Sequence, residues 1–173
     1  KVTKQTRKLQ NFNILTCKVV HHRQLRLFMV NNFNGDFMKH YKHSYTELAK
    51  IGRRYYGDTN FCSVLAVAVV ADISYGKAFH AYKREGRRIR TGTRQMMQHQ
   101  VLNQFKLKSE RDYDKTAIYS GKTLNNVLTA CKRWSGRYLV YVRGHVLAVR
   151  DGVCEDWTAE GSRRKVISVY KVS

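Results

Sequence analysis

Cys62, His145 and Asp156 are the three residues whose types suit a nucleophile, a base and an orienting acid, and they occur in that order. A thiol attacks as thiolate, so it needs a base or a positive field beside it. An imidazole can take that proton and return it. A carboxylate can hold the imidazole in one tautomer and stabilise its charged form. Together they would perform acyl transfer through a covalent thioester.

The elements that must position them can be read from pattern. Gly144 to Arg150 and Val153 to Trp157 read as strands, and Asp151-Gly152 between them signals a two-residue type I′ hairpin. With that loop, Arg150 faces Val153, Val149 faces Cys154, Leu147 faces Asp156 and His145 faces Thr158. Alternation then places His145, Leu147, Val149, Cys154, Asp156 and Thr158 on one face. His145 and Asp156 become diagonal neighbours, about 7–8 Å apart at the backbone and within side-chain reach.

Cys62 opens the run FCSVLAVAVVAD, which follows Gly57-Asp58-Thr59-Asn60. The run is apolar on every side, and its alanines and the preceding cap types predict a helix buried all round. Cys62 would hold its first or second position, beside N–H groups without intrahelical partners. There the helix dipole favours thiolate, and the same N–H groups could bind an oxyanion.

Further helices are expected from the Ser74 cap to about Glu85 with Gly86 beyond it, after Thr93 through Met96, Met97 and Val101, and after the Thr123 cap. Arg137 to Val142 and Lys165 to Val172 read as strands. Helices first and an antiparallel sheet afterwards predict an α+β fold. The first 35 residues hold seven Lys or Arg and no acid, with strand-like runs at 14–20 and 25–30. We read residues 1–52 as a basic, partly structured segment packed on a core of residues 53–173, one domain overall.

Two segments resemble a known family. GDTNFCSVLAVAVVADISYGKAFHAYKREGRR with the following TGT looks like the Cys-helix segment of small papain-like cysteine peptidases of bacteriophages and bacteria. GRYLVYVRGHVLAVRDGVCEDWT looks like their His-hairpin segment. The resemblance covers roughly residues 53 to 172. It implies a buried helix packed on a C-terminal antiparallel sheet, with the cleft between them. It also implies Cys62 as nucleophile, His145 as general base, Asp156 as orienting acid, a protein or peptide substrate, and a setting in host cytoplasm or virion. Tyr56 stands where papain-like peptidases usually place the oxyanion Gln, which leaves Asn60 as the nearest side-chain substitute.

Charge opens a second possibility. The 173 residues carry 33 Lys and Arg against 12 Asp and Glu, a net +21, which points to a polyanion, nucleic acid before an anionic membrane. Arg53 and Arg54 precede the Cys loop; Arg87, Arg88, Arg90 and Arg94 follow the second helix; Arg163, Arg164 and Lys165 precede the last strand. Such residues would give sequence-neutral DNA or RNA binding through phosphates. The alternative function is thus a non-catalytic nucleic-acid-binding protein on a papain-like scaffold, packaged with phage DNA.

The four cysteines, Cys17, Cys62, Cys131 and Cys154, form no dense disulfide framework and are read as reduced thiols. Cys17 with His21 and His22 offers zinc-ligand types but no CxxC pair. No cofactor or metal is expected. No run reaches the roughly 18–20 apolar residues of a membrane span.

Overall fold

The chain builds six helices and one five-stranded antiparallel sheet among the residues that the computed structural model describes, 41–156 and 163–173. In chain order these are α1 (Tyr45–Tyr56), α2 (Cys62–Ala71), α3 (Tyr75–Arg84), α4 (Gln95–Gln104), β1 (Ser109–Arg111), α5 (Tyr113–Tyr119), α6 (Leu124–Cys131), β2 (Arg137–Val142), β3 (His145–Arg150), β4 (Val153–Glu155) and β5 (Val166–Val172). The fold is α+β. The strand runs at 14–20 and 25–30, Cys17, His21, His22, Trp157 and Thr158 lie outside the described residues. The boundary expected between residues 52 and 53 falls inside α1.

The sheet runs β1-β5-β2-β3-β4 and separates two apolar clusters. Leu139, Tyr141, Val146 and Ala148 pack with α1 to α4, whereas Val140, Val142, Leu147 and Val149 pack with α6 and Trp134. Both faces of β2 and β3 are therefore covered, which is why these strands read as nearly continuous apolar runs. The hairpin has the expected register: Arg150 pairs with Val153, Val149 with Cys154 and Ala148 with Glu155. Asp151 (φ 41°) and Gly152 (φ 84°) both take the positive φ that a type I′ turn requires. At Gly152 a side chain would also meet Lys132 O at 2.8 Å.

Helix α2 runs through the first cluster, with Ser63 to Val70 all buried. Both its ends are also held from outside the helix. Phe61 is the N-cap, without a side-chain capping bond, so the cap expected from Asp58, Thr59 or Asn60 is not formed. Asp58 instead turns inward. It is 0% exposed and accepts from Arg87 (2.7 and 3.2 Å), Tyr75 Oη (3.1 Å) and Arg90 N (3.1 Å). Arg87 Nη2 also donates to Asn60 O at 2.7 Å, tying down the loop that leads into the helix.

At the other end, Arg150 Nη1 donates to Val69 O (3.0 Å) and Arg137 Nη1 to Val70 O (2.9 Å). These cations meet carbonyls of the last helical turn, where the helix dipole is negative. Asp72 closes the helix in the left-handed region (φ 51°), and its carboxylate accepts from Lys42 N and His43 N.

Three elements were not expected: α1, β1 and α5. The sequence does hold a signal for α1. Ser44 and Glu47 have the S-x-x-E spacing of a capping box; Ser44 Oγ accepts from Glu47 N at 3.3 Å and its hydroxyl donates to Glu47 Oε2 at 3.1 Å. Helix α1 packs closely enough on α3 that a Cβ on Gly52 would lie 2.6 Å from the Tyr75 ring. Helix α3 has its expected Ser74 cap, accepting from Lys77 N. Helix α4 begins after Arg94, and α6 follows Thr123, which makes no side-chain cap bond.

Candidate active site

His145 is the first residue of β3, directly after the turn through Gly144. Residues of its own parity, Leu147 and Val149, pack toward α6, while the opposite parity packs on the α2 side. Alternation alone would thus keep His145 away from Cys62. The two meet because each stands at the end of its element, where the start of α2 reaches the end of the sheet. Cys62 and His145 border the same recesses, and each shifts the other's pKa.

On its other side, His145 Nε2 lies 2.6 Å from Asp156 Oδ2, with side chains only 5% and 3% exposed. Asp156 is the residue after β4, in the diagonal relation to His145 that the hairpin register dictates.

The electrostatics follow from these contacts. Burial works against the charged forms of both Cys62 and His145. For Cys62, the His145 contact and backbone N–H bonds from Val146 and Ser63 outweigh burial and hold the thiol below its ordinary pKa. For His145, the Asp156 and Cys62 contacts outweigh burial and push its pKa up to about 9. Both shifts favour the thiolate–imidazolium pair over the neutral pair. The other two described cysteines behave oppositely. Burial pushes both Cys131 and Cys154 up, and Cys154 packs opposite Val149 in the second cluster.

Two recesses meet at this pair. Asn60, Cys62, Gly144 and His145 border both. The larger, about 490 Å³, is walled by Ser63, Thr93, Gln95, Gln98 and Tyr141. Gln98 is fixed there, accepting from Tyr141 Oη at 3.0 Å. Ser63 Oγ and Gln95 Nε2 are buried and have no hydrogen-bond partner among the described residues. Each such group costs about 1–3 kcal/mol until an acceptor reaches it. The smaller recess, about 220 Å³, is walled by Tyr45, Arg53, Thr59, Phe61, Leu65 and Arg164.

Asn60 borders both recesses together with Cys62. Tyr56, at the position where Gln was looked for, is instead packed against Tyr75 and Phe79 (ring centroids 5.1 and 4.6 Å). Gln95 and Ser63 were not anticipated. Ser63 is hidden by its place in an apolar run, and no spacing rule ties the start of α4 to Cys62.

The basic residues scatter. Arg53, Arg54, Arg88, Arg90, Arg94, Arg163, Arg164 and Lys165 are exposed, Arg94 beside the larger recess and Arg53 and Arg164 beside the smaller. Arg87 corrects the expectation. Its side chain is 2% exposed and committed to Asp58, so it offers nothing to a phosphate. No cluster of three or more His, Cys, Asp or Glu suited to a metal occurs among the described residues, and no single described helix is long and apolar enough to cross a membrane.

The chain matches no protein-family model, no curated protein and no solved structure.

Proposed function

We propose that this protein is a papain-like cysteine acyl-transfer enzyme, a peptidase first, of the bacteriophage or bacterial kind its sequence resembles. One observation carries the reading: a cysteine at the start of a buried helix borders the same recesses as an imidazole that lies 2.6 Å from a carboxylate, and that imidazole lowers the thiol pKa. Each shift follows from a contact, and the three residues come from separate elements.

The chemistry follows in two stages. Cys62 thiolate adds to the substrate carbonyl carbon, and the carbonyl π electrons move to oxygen. When the tetrahedral centre collapses, the C–N bond breaks and His145 imidazolium gives its proton to the departing amine. A thioester remains on Cys62. Neutral His145 then removes a proton from water as its oxygen attacks the thioester, and the acid leaves with Cys62 restored as thiolate. With an amine in place of water, the same residues would transfer the acyl group.

The developing oxyanion needs donors that are unsatisfied before it arrives. Gln95 Nε2 fits that requirement, buried without a partner in the larger recess that Cys62 also lines. Asn60 lies on the same border but is exposed, so water already serves its amide. We assign the oxyanion role to Gln95, acting with backbone N–H at the start of α2.

Incubation with iodoacetamide tests the reading at its root. Cys62 should be alkylated at pH 6 well ahead of Cys131 and Cys154, and Cys62→Ala should abolish hydrolysis of a mixed peptide library. Equal labelling of all three, with full activity in the variant, would overturn it.

A net charge of +21 favours a second reading, in which the protein coats nucleic acid. Under it, fluorescence anisotropy would detect salt-sensitive binding to a DNA oligomer that Cys62→Ala leaves unchanged.

A further inference from the structure

Asp156 stands one residue beyond the last pair of the β3–β4 ladder, Ala148 with Glu155. The ladder stops just short of the residue that must hold His145. The side chain of Glu155 grips the chain at that point. Strand alternation sends it to the face opposite that of Asp156. There, on the α2 side, it lies across from Ala148 and diagonal to Arg150. Its Oε1 accepts from Arg150 Nε at 2.6 Å, and Arg150 Nη2 bonds the same oxygen. Its Oε2 accepts from Tyr45 N at 3.1 Å, the first N–H of α1. A helix leaves that N–H without an intrahelical partner, and its dipole there favours an anion. Both contacts are charge-assisted.

The residues that lead into α1 are tied to the same places. Arg150 is buried, with its guanidinium carbon 4.0 Å from the Tyr41 ring centroid, and it donates to His43 O at 2.9 Å. Tyr41 Oη donates to Asp151 Oδ2 at 2.6 Å, in the hairpin turn. Lys42 N and His43 N donate to Asp72 at the end of α2. Residues 41–45 thus strap the end of α2 to the hairpin, and Glu155 is where the strap meets β4. Glu155 lines neither recess beside Cys62.

We propose that Glu155 is a positioning residue for acyl transfer: clamped between Arg150 and the start of α1, it fixes where the chain leaves β4 and so holds Asp156 on His145. The proposal deepens the acyl-transfer reading and rests on it. It gives Glu155 no contact with the reacting atoms; its effect passes through Asp156.

Glu155→Ala in the full chain tests it. Arg150 keeps Val69 O, His43 O and Asp72 as partners, so its charge is not left alone. A misplacement of about 1 Å costs up to about 10²-fold, so kcat should fall about 10–100-fold. KM should stay within about twofold, as for a group that does not bind substrate. The His145 midpoint, followed by NMR, should drop from about 9 toward its ordinary value. Lost stability alone would not move it. In an Asp156→Asn background the same substitution should change kcat by no more than about twofold, because its route is gone. An unmoved midpoint would overturn the proposal, and so would an undiminished effect in the Asp156→Asn protein.

Should Glu155→Ala fail to fold, Tyr45→Pro compared with Tyr45→Ala decides. Both lose the ring, and only the first loses the N–H. Proline suits the first helical position, and Ser44 before it is already extended (ψ 150°). The Pro variant should show the lower midpoint and the lower kcat; equal values would overturn the proposal. The midpoint also keeps the two readings apart. A shift in Glu155→Ala, with no turnover by the unmodified protein, would sink the enzyme and leave the positioning role standing.

Discussion

His145 Nε2 and Asp156 Oδ2 stand 2.6 Å apart across the end of the β3–β4 hairpin, both side chains nearly out of solvent. The carboxylate holds one ring nitrogen and favours the protonated imidazole. Asp156→Asn keeps the size and removes the charge. The His145 titration midpoint, followed by NMR, should fall from about 9 toward its ordinary value. Turnover should drop about 10²–10⁴-fold, the range of lost acid–base catalysis. An unmoved midpoint would mean that the pair is not formed in solution.

Activity should depend on pH as a bell. The thiolate is present above the lowered Cys62 pKa, so the rate rises through that value from the acid side. The imidazolium is present below its own raised pKa, so the rate falls again as pH passes about 9. Alkylation by iodoacetamide requires only the thiolate, and its profile should lack the alkaline fall attributable to His145. Matching alkaline limbs in the two profiles would contradict this division of roles.

Gln95→Ala should separate transition-state binding from nucleophile activation. We expect kcat to fall about 10²–10³-fold, the usual loss on removing one oxyanion donor. KM should change little and the Cys62 alkylation rate should not move. Asn60→Ala should leave kcat within a few-fold by the same measurements. The reverse pattern would transfer the oxyanion role to Asn60.

The Asp58–Arg87 pair holds the entry to α2, and breaking it should expose its structural weight. Asp58→Asn leaves the Arg87 charge buried with a neutral partner, a loss of about 3–5 kcal/mol in urea unfolding at pH 7. Burial alone would raise the Asp58 carboxyl, but Arg87, Arg90 and Tyr75 together hold it below its ordinary value. Its contribution is complete above the ordinary carboxylate pKa and disappears as pH falls through the lowered one. The gap between the two proteins should therefore narrow in strong acid.

Gly52→Ala should destabilise by about 1–3 kcal/mol through overpacking, despite the better helix propensity of Ala. The added methyl would meet the Tyr75 ring at 2.6 Å. That ring is fully buried and its hydroxyl is held by Asp58, so it has nowhere to retreat. A thermal melt at or above that of the unmodified chain would show that the α1–α3 contact is looser than described.

Much of the scaffold was legible because local signals carried it. The Asp151-Gly152 dipeptide set the hairpin register, and the register set the diagonal between His145 and Asp156. The apolar run after Asn60 announced a buried helix with Cys62 at its start. The unexpected helix α1 shows the limit of periodicity. Its apolar stripe is short, with only Leu48 and Gly52 fully buried, and the capping box at Ser44 was its clearest mark.

What tertiary structure alone decided was the company each side chain keeps. Charge type did not separate Arg87, buried against Asp58, from its exposed neighbour Arg88; only the fold of the loop after α3 did. Strand parity placed His145 on the α6 side, and the meeting with Cys62 depends on where two elements end. Gln95 and Ser63 became candidates because α2, α4 and the sheet leave their polar atoms enclosed and unpartnered around one recess. Periodicity and turn chemistry act over a few residues and are written locally. Enclosure and charge pairing arise between segments far apart in the chain, so they exist only once the chain has packed.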